Sequence, residues 1–221
     1  MAIGCTLHPV HNRLLEVGML VGAVLVWGAL LLLARGYPKR RILWALPVLG
    51  LLPFALPGKA IDSNALRSDY VKRLRGYDGT RYVWGGESPL GIDCSGLPRR
   101  ALRDALWAEG WQKANGTAFR EWLSQWWFDS SARAMGQGYR GETRTLGLAG
   151  PLWKLDQPPL RPGDLAVRAD GIHVVVYLGG NQWIEADPGR SRVRCWDTSP
   201  RDGPWYEPMV AHRWVICECP G

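Results

Sequence analysis

The sequence predicts an α+β fold in which helices come first and an antiparallel β-sheet follows. Three observations lead to this prediction. Apolar residues in the first half fall at helical spacing. From Leu165 onward, short β-branched and aromatic runs alternate with Gly, Asn, Asp and Pro turns. An uncharged apolar stretch precedes both parts. Elements in this order are typical of an α+β domain, here preceded by a membrane-associated segment.

The length and charge suit one ordinary domain with an additional N-terminal segment. The chain has 221 residues and a net charge of +7. Residues 1–58 hold five Lys/Arg and one Asp/Glu, which gives +4, and the remainder holds 22 and 19, which gives +3. Such a small excess on the second part does not favour nucleic acid, and we expect no nucleic-acid partner.

Residues 17–34 are eighteen consecutive residues without a charge. As a helix they would span roughly 27 Å, close to the hydrocarbon thickness of a bilayer. We therefore predict a transmembrane helix. A cleavable signal peptide is disfavoured, because no small-x-small site precedes the basic run that follows.

Residues 42–56 are also apolar, but they are only fifteen and are interrupted by Pro47 and Pro53. We favour a second span, so that residues 1–58 form a membrane anchor with a transmembrane helical hairpin. A re-entrant, interfacial or signal-like segment is the alternative. With two spans, the four positive charges of residues 35–41 stay in the cytoplasm and the rest of the chain lies outside. With one span, the same charges would hold the domain inside.

The folded domain is predicted over residues 65–221, after a short linker at 59–64. Apolar side chains at helical spacing predict an amphipathic helix over 65–75. A further helix follows Cys94 and runs to about Trp107.

A proline lies near the start of that further helix. If Ser95 caps it, Pro98 falls in the first turn, where proline is tolerated. If the helix began before Cys94, the proline would distort the turn that carries the thiol.

A Trp-rich helical insertion is predicted at about 109–154. Five apolar residues within it share one helix face, which we expect to pack on the core: Phe119, Trp122, Leu123, Trp126 and Trp127. The alternative is a lid or a helix resting on a membrane beside the active site. Residues 130–150 are Gly-rich and polar and are interpreted as a loop.

The strands of the second half are predicted at DLAVRA, HVVVYLG, QWIEA, RVRCWDT and HRWVICE. The turn Gly179, Gly180 and Asn181 indicates a hairpin between the second and third of them. Such a hairpin would bring His173 and Glu185 to the same end of two strands.

One thiol lies where a loop meets a helix. In the run RYVWGGESPLGIDCSGL, Cys94 follows a double glycine and a polar loop. Backbone N–H groups at a helix N-terminus favour the thiolate. A lone cysteine is more often a small buried hydrophobe. His173 and Glu185 change that balance, because a thiol, an imidazole and a group that orients the imidazole form the usual set for acyl transfer.

With these residues in place, the chain resembles the NlpC/P60 family of papain-like cysteine peptidases, which mostly cut the peptide stems of bacterial cell wall. The matching motifs are YVWGG, DCSGL about ten residues on, PGDL, and HVVVYLG with a polar residue twelve positions past its histidine. They match in order and spacing over roughly residues 65–214. The resemblance implies a papain-like NlpC/P60 fold, with N-terminal helices packed on an antiparallel sheet.

The resemblance also implies roles for three residues. Cys94 would be the nucleophile, His173 the base and later the acid, and Glu185 the group that orients the imidazole. The third position in the family is most often His, so Glu185 departs from the commonest pattern.

Four further residues match positions near the family's thiol. Tyr82 corresponds to a tyrosine beside it, and the backbone N–H of Cys94 would be the first oxyanion donor. Trp84, Asp93 and Ser95 match residues that, in some members, shape a pocket for the free N-terminal amine of a stem peptide.

The implied function is a membrane-anchored endopeptidase that cuts the D-glutamyl to diamino-acid bond of peptidoglycan stem peptides. It would sit in the bacterial inner membrane with its catalytic domain in the periplasm or outside, and a complex with other envelope proteins is left open. An amidase or acyltransferase using the same triad is one alternative, and an inactive binding or scaffold domain is another. The four histidines show no ligand spacing with carboxylates or thiols, so we expect no metal and no cofactor.

The five cysteines cannot all pair. Cys195 could bond to Cys217 or Cys219 in an oxidising compartment, and simple buried thiols fit the sequence at least as well. Cys94 must stay free to act as a nucleophile.

Overall fold

Helices and strands follow one another in the predicted order. The computed structural model describes residue 10 and residues 13–198 and 207–218. The helices are α1 (Arg13–Leu33), α2 (Ala45–Ala55), α3 (Ser63–Gly76), α4 (Gly96–Lys113), α5 (Gly116–Trp127), α6 (Ala132–Gly136) and α7 (Leu152–Leu155). The strands are β1 (Glu87–Ser88), β2 (Gly91–Ile92), β3 (Thr143–Gly150), β4 (Leu165–Arg168), β5 (Val174–Gly179), β6 (Gln182–Asp187), β7 (Arg192–Asp197) and β8 (Met209–Trp214). The α+β prediction is confirmed.

A six-stranded antiparallel sheet carries the second half of the domain, in the order β3-β8-β4-β5-β6-β7. Helices α3 and α4 pack on this sheet through one apolar cluster that includes Leu74, Leu102, Val176 and Ile184. A smaller cluster around Trp183, with α7, covers other sheet residues. Because β5 is covered on both sides, its residues from 174 to 178 are all buried and form a continuous apolar run instead of alternating.

The PGDL motif ties two central strands together. Asp164, which directly precedes β4, accepts hydrogen bonds from Arg213 Nε at 2.7 Å and from Arg213 Nη2 at 2.6 Å. Its side chain also accepts from the backbone N–H of Arg161 at 2.7 Å. Both partners of the ion pair are nearly inaccessible to solvent, and the fork-shaped contact satisfies each charge. This contact fixes β4 against β8 and so sets the position of the neighbouring strand β5.

Residues 130–150 are not a loop throughout, and that part of the interpretation is wrong. Strand β3 pairs with β8 along one edge of the sheet, with a register shift between Thr145 and Ala149. The glycines of this segment do not indicate a strand in the sequence, and Gly147 has a positive φ of 72°. The segment is a strand because its backbone pairs with one edge of β8, and local composition does not indicate this distant partner.

The N-terminal region contains one helix that is long and apolar enough to cross a membrane, residues 14–36, among the residues that the structure describes. The second apolar segment is a shorter helix, Arg41–Ala55. The turn that precedes α2 contacts the first helix: Trp27 Nε1 donates to the carbonyl of Leu43 at 3.1 Å, and the rings of Trp27 and Trp44 are 5.0 Å apart. Among the described residues the structure thus has one candidate span, and the second apolar segment is short for a full span.

The predicted linker is bonded to the domain. Lys59 N donates to Asn115 Oδ1 at 2.9 Å, and Gly116 N donates to the carbonyl of Pro57 at 3.0 Å. Asp62 caps α3 by accepting from the backbone N–H groups of Asn64 and Ala65. The connection therefore follows the surface of the domain as a fixed segment.

Helix α4 begins at Gly96 and extends to Lys113, beyond the predicted end at Trp107. Pro98 falls in its first turn, as expected if the helix starts after Ser95. The turn that carries Cys94 is therefore free of the distortion that a deeper proline would cause.

The Trp-rich face of α5 divides between core and surface. Phe119 is fully buried, whereas Leu123 is exposed and Trp122, Trp126 and Trp127 are half-buried. The expectation that the whole face packs on the core is thus only partly met. Helix α5 lies near α2, whose apolar surface competes with the core for these side chains.

The cysteines Cys94, Cys195 and Cys217 are free thiols in the structure. Cys217 lies in a short 3₁₀ turn, Val215–Cys217, that ends the strand predicted for HRWVICE. Burial raises the pKa of the Cys217 thiol to about 12, so it stays protonated at neutral pH. The bond between Cys195 and Cys217 is not formed. Cys219 lies outside the described residues.

Candidate active site

Cys94 lies in the turn between β2 and α4. Its side chain is buried, with 8% of the residue exposed, and Sγ is 3.8 Å from the carbonyl oxygen of Ile172. The short pair β1–β2 and the start of α4 enclose the turn on two sides. The thiol is thus held at the N-terminal end of an eighteen-residue helix, where the backbone dipole favours negative charge.

Asp93 builds this turn. Its Oδ1 accepts from the backbone N–H groups of Ser95 at 3.0 Å and Gly96 at 2.6 Å, and from the Ser95 hydroxyl at 3.0 Å. Its Oδ2 accepts from Gly85 N at 2.8 Å. Burial raises the pKa of Asp93, and these hydrogen bonds oppose the rise. A Cβ on Gly96 would lie 2.1 Å from the carbonyl oxygen of Gly86, so glycine is needed for this approach.

His173 and Glu185 form a buried pair. His173 Nε2 lies 2.8 Å from Glu185 Oε2, and Glu185 has no exposed surface. Since Nε2 is engaged, Nδ1 is the ring nitrogen that remains for Cys94, with which His173 also forms a hydrogen bond. Burial is the largest influence on the pKa of His173 and lowers it. The hydrogen bonds and negative charges of Cys94 and Glu185 outweigh burial and raise that pKa to about 9.

Arg194 contacts Glu185 and was not among the predicted site residues. Its Nη2 lies 3.0 Å from Glu185 Oε1, and its Nε lies 3.0 Å from Asp187 Oδ2. Glu185 and Arg194 are directly paired across β6 and β7. A cross-strand register drawn between the runs QWIEAD and RVRCWD would have revealed this pair.

A cavity of about 300 Å³ opens beside the thiol. Trp84 stands at its rim with 76% of its surface exposed. The lining comprises backbone and side chains of the two loops and of α4, namely Trp84, Gly85, Gly86, Glu87, Asp93, Cys94, Ser95, Gly96, Arg99, Asp129, Ser131, Ala132, Gly171 and Ile172. Among the described residues, no group of three or more His, Cys, Asp or Glu is placed to hold a metal ion.

A buried charge cluster lies at the α4 side of this cavity. Glu87 is 3.4 Å from Arg99 and 3.2 Å from Arg103, and all three side chains are nearly inaccessible. Arg99 also binds Asp129 and the carbonyl oxygen of Gln125. The two cations and two carboxylates balance, which lets charged groups remain buried here. No local pattern predicts the cluster, because β1 is only two residues long.

Tyr82 lies close to the thiol and packs against the core cluster that contains Cys94. Burial raises the pKa of Tyr82 to about 12, and the nearby charges of Cys94 and Asp93 add to the rise. The phenol therefore remains protonated at neutral pH and can donate a hydrogen bond.

The sequence model of the NlpC/P60 family matches residues 79–214, which is more than half of the chain. The chain belongs to the NlpC/P60 family. This match contains every residue of the site described above. Membership supports a hydrolase of the cysteine type.

Two curated relatives share part of the sequence. Dipeptidyl-peptidase 6 of Lysinibacillus sphaericus is 44% identical over 57 residues, which cover 22% of this chain and 21% of that protein. Protein P54 of Enterococcus faecium is 27% identical over 140 residues, covering 61% of this chain and 20% of that protein. The chain therefore spans about one fifth of the length of each of these relatives.

Solved structures resemble the chain as well. The NlpC/P60 domain of the peptidoglycan hydrolase SagA is 24% identical, with a TM-score of 0.39, and the match covers 66% of this chain and 96% of that one. The peptidoglycan hydrolase RipB of Mycobacterium tuberculosis is 20% identical, with a TM-score of 0.44, over 86% and 90% of the two chains. The family assignment rests on the sequence model, because both TM-scores lie below 0.5.

Proposed function

We propose that this protein is a membrane-anchored cysteine peptidase that hydrolyses an amide bond in peptidoglycan stem peptides through Cys94, His173 and Glu185. The observation that carries the proposal is that the thiol contacts the imidazole and the imidazole contacts the carboxylate. Cys94 is hydrogen-bonded to His173, and His173 Nε2 is 2.8 Å from Glu185 Oε2. A thiol, an imidazole and an orienting carboxylate in this order are the parts needed for acyl transfer.

The charge state of the pair supports nucleophilic attack. With a pKa of about 9, His173 is an imidazolium at neutral pH and stabilises a negative charge on Sγ. The thiolate attacks the carbonyl carbon of the scissile amide, and the carbonyl electron pair moves to its oxygen. The backbone N–H of Cys94 donates to that oxyanion, with the Tyr82 hydroxyl as a second donor.

Collapse of the tetrahedral intermediate completes acylation. The C–N bond breaks, and His173 gives its proton to the leaving amine, which yields an acyl-thioester on Cys94 and a neutral imidazole. The imidazole then takes a proton from water, and the resulting hydroxide attacks the thioester. The acid leaves, and the thiolate and imidazolium are restored.

The cavity beside Cys94 would hold the stem peptide. Trp84 offers an exposed aromatic surface at its rim, and the family pattern connects Trp84, Asp93 and Ser95 with a free N-terminal amine. The hydrogen bonds already made by Asp93 favour a role in shaping the loop and holding its charge near the amine. We propose that the bond cut joins D-glutamate to the diamino acid.

We further propose that residues 1–58 anchor the enzyme and that both apolar helices enter the bilayer. The basic residues between them, Arg35, Lys39, Arg40 and Arg41, would remain in the cytoplasm. The domain of residues 65–221, with its Trp-rich segment at about 109–154, would then face the periplasm or the exterior, where the cell wall is. Cytoplasmic activity of a topology reporter fused after Gly221 would contradict this arrangement.

Purified muropeptides provide the direct test. We expect the full chain in detergent to release fragments whose masses place the cut between D-glutamate and the diamino acid. The variant Cys94→Ala should release none. The control Cys195→Ser removes a free thiol elsewhere in the fold and should retain full activity.

Other outcomes discriminate the alternatives. Loss of an amide-linked group other than the peptide, or transfer of an acyl group to an added amine, would identify an amidase or an acyltransferase. Intact muropeptides with both wild type and Cys94→Ala, together with alkylation of Cys94 no faster than a free thiol, would contradict hydrolysis and favour a scaffold.

A further inference from the structure

A continuous chain of aromatic rings extends from the last turn of α4 to the C-terminal end of α5. We call it the aromatic face: Trp107, Trp111, Trp122, Trp126 and Trp127. Successive ring centroids are 5.0 to 6.4 Å apart in the order Trp111, Trp107, Trp122, Trp126 and Trp127. Trp111 is 57% exposed and Trp107 is 39% exposed. Large apolar groups exposed side by side indicate an interaction surface.

The aromatic face is not part of the substrate cavity. None of its residues lines that cavity. Trp111 lies seventeen residues after Cys94. That separation corresponds to roughly 25 Å along a helix. Trp111 is therefore too far along α4 from the thiol to act as a lid over it.

The face continues directly into the membrane anchor. Phe54, in the last turn of α2, lies 6.0 Å from the ring of Phe119 and 6.4 Å from that of Trp122. The point where the apolar helix ends is thus adjacent to the aromatic face. Tryptophan rings are favoured at this depth, between the hydrocarbon and the headgroups of a bilayer.

Hydrogen bonds fix the end of α2 to the domain. Arg120 Nη1 donates to the carbonyl oxygens of Phe54 at 3.1 Å and Leu56 at 3.2 Å. Gly116 N donates to the carbonyl of Pro57 at 3.0 Å. A Cβ on Gly116 would lie 1.9 Å from the carbonyl oxygen of Leu56, so this approach requires glycine. The anchor therefore holds the domain in one orientation.

Three exposed cations, Lys59, Lys113 and Arg120, lie at the same junction. Basic side chains beside an apolar surface suit the anionic headgroups of a membrane. We propose that the aromatic face rests in the headgroup region of the bilayer that holds the anchor, and that the α2 junction keeps it there. This inference rests on the proposed anchoring. It places Cys94 at most roughly 25 Å above the interface, which directs the enzyme to wall peptides close to the membrane.

Quenching of tryptophan emission by brominated phospholipid tests the proposal. The full chain is reconstituted in vesicles of phosphatidylethanolamine and phosphatidylglycerol with bromine at a shallow acyl position. The variant Trp107→Phe/Trp111→Phe should lose emission that shallow bromine quenches. The matched control Trp153→Phe should lose only unquenched emission, because Trp153 is also 39% exposed and lies on α7, which packs on the sheet face opposite to α3 and α4.

Two further variants separate the possible failures. Trp27→Phe should lose quenched emission if the anchor is inserted, and its failure to do so would contradict anchoring itself. If Trp27 is quenched while Trp107 and Trp111 are not, anchoring stands and the proposed contact is overturned. Gly116→Ala should reduce the quenching of the tryptophans of the domain. The rate of Cys94 alkylation should stay unchanged, which would show that the domain is still folded. Unchanged quenching in Gly116→Ala would overturn the role of the junction.

Discussion

Arg194 Nη2 lies 3.0 Å from Glu185 Oε1, on the carboxylate oxygen that does not bind His173. The two oxygens of Glu185 thus have different partners, and the side chain has no exposed surface. A buried carboxylate without such partners would be costly. Arg194 therefore permits a carboxylate at a position where the NlpC/P60 family most often has histidine.

Glu185→Gln should lower the pH at which activity is lost on the alkaline side. Glutamine keeps a hydrogen-bond acceptor for His173 but removes the negative charge that helps raise the pKa of His173 to about 9. We expect kcat/KM to fall roughly 10- to 100-fold at neutral pH. On the alkaline side of the pH profile, the variant should lose its activity at a lower pH than the wild type. The pH profile of muropeptide cleavage measures both. If the variant loses activity at the same alkaline pH as the wild type, Glu185 does not raise the pKa of His173.

Arg194→Met should reduce kcat with little change in KM, because Arg194 contacts Glu185 and does not line the substrate cavity. The loss of one hydrogen bond between charged groups is worth about 1.5 kcal/mol, or on the order of tenfold in rate. Arg194→Lys should restore part of the rate, since lysine keeps the charge but not the planar fork. The exposed neighbour Arg192 provides the control Arg192→Met, which should behave as wild type. A rise in KM alone would contradict the positioning role.

Asp93→Ala should lower stability as well as activity. It removes the acceptor of backbone hydrogen bonds at the start of α4, and loss of a helix cap costs about 1 to 2 kcal/mol. Thermal unfolding of the full chain in detergent measures the change. A variant with unchanged stability and a raised KM would instead indicate that Asp93 acts mainly by binding the substrate amine.

His212 should make the protein less stable in acid. It is buried in β8, burial lowers its pKa below 6.5, and its Nδ1 has no hydrogen-bond partner among the described residues. Because the unfolded chain binds the proton more readily, this contribution is complete above pH 6.5 and is lost as pH falls through the folded pKa. Unfolding of His212→Leu should therefore depend less on pH between about 7 and about 5. An equal slope in both proteins would assign the acid sensitivity to another group.

His173 should act in the opposite direction. Its folded pKa of about 9 lies above 6.5, so its contribution to stability is complete below pH 6.5 and is lost as pH rises to about 9. His173→Asn should flatten the alkaline side of the stability profile, measured by unfolding at a series of pH values. The acid side, where His212 titrates, serves as the internal control.

The local patterns predicted much of the fold. The helix after Cys94, the strand after His173 and the hairpin at Gly179 and Gly180 all follow from apolar period and turn residues, which act over a few positions. Strand β3 was not predicted because its glycine-rich sequence has little intrinsic preference for β-structure. It is a strand because it pairs with β8. Contacts between distant segments of this kind leave no local signal.

The sequence by itself determined which residues are available for chemistry: a thiol before a helix, an imidazole before a strand and a carboxylate twelve residues later. Folding alone decided their partners. Arg194 reaches Glu185 through the register of β6 and β7, Glu87 is enclosed by Arg99 and Arg103, and Arg120 binds the end of α2. The physical reason is that buried charges must find opposite charges in space, and spatial neighbours are set by packing instead of by distance along the chain.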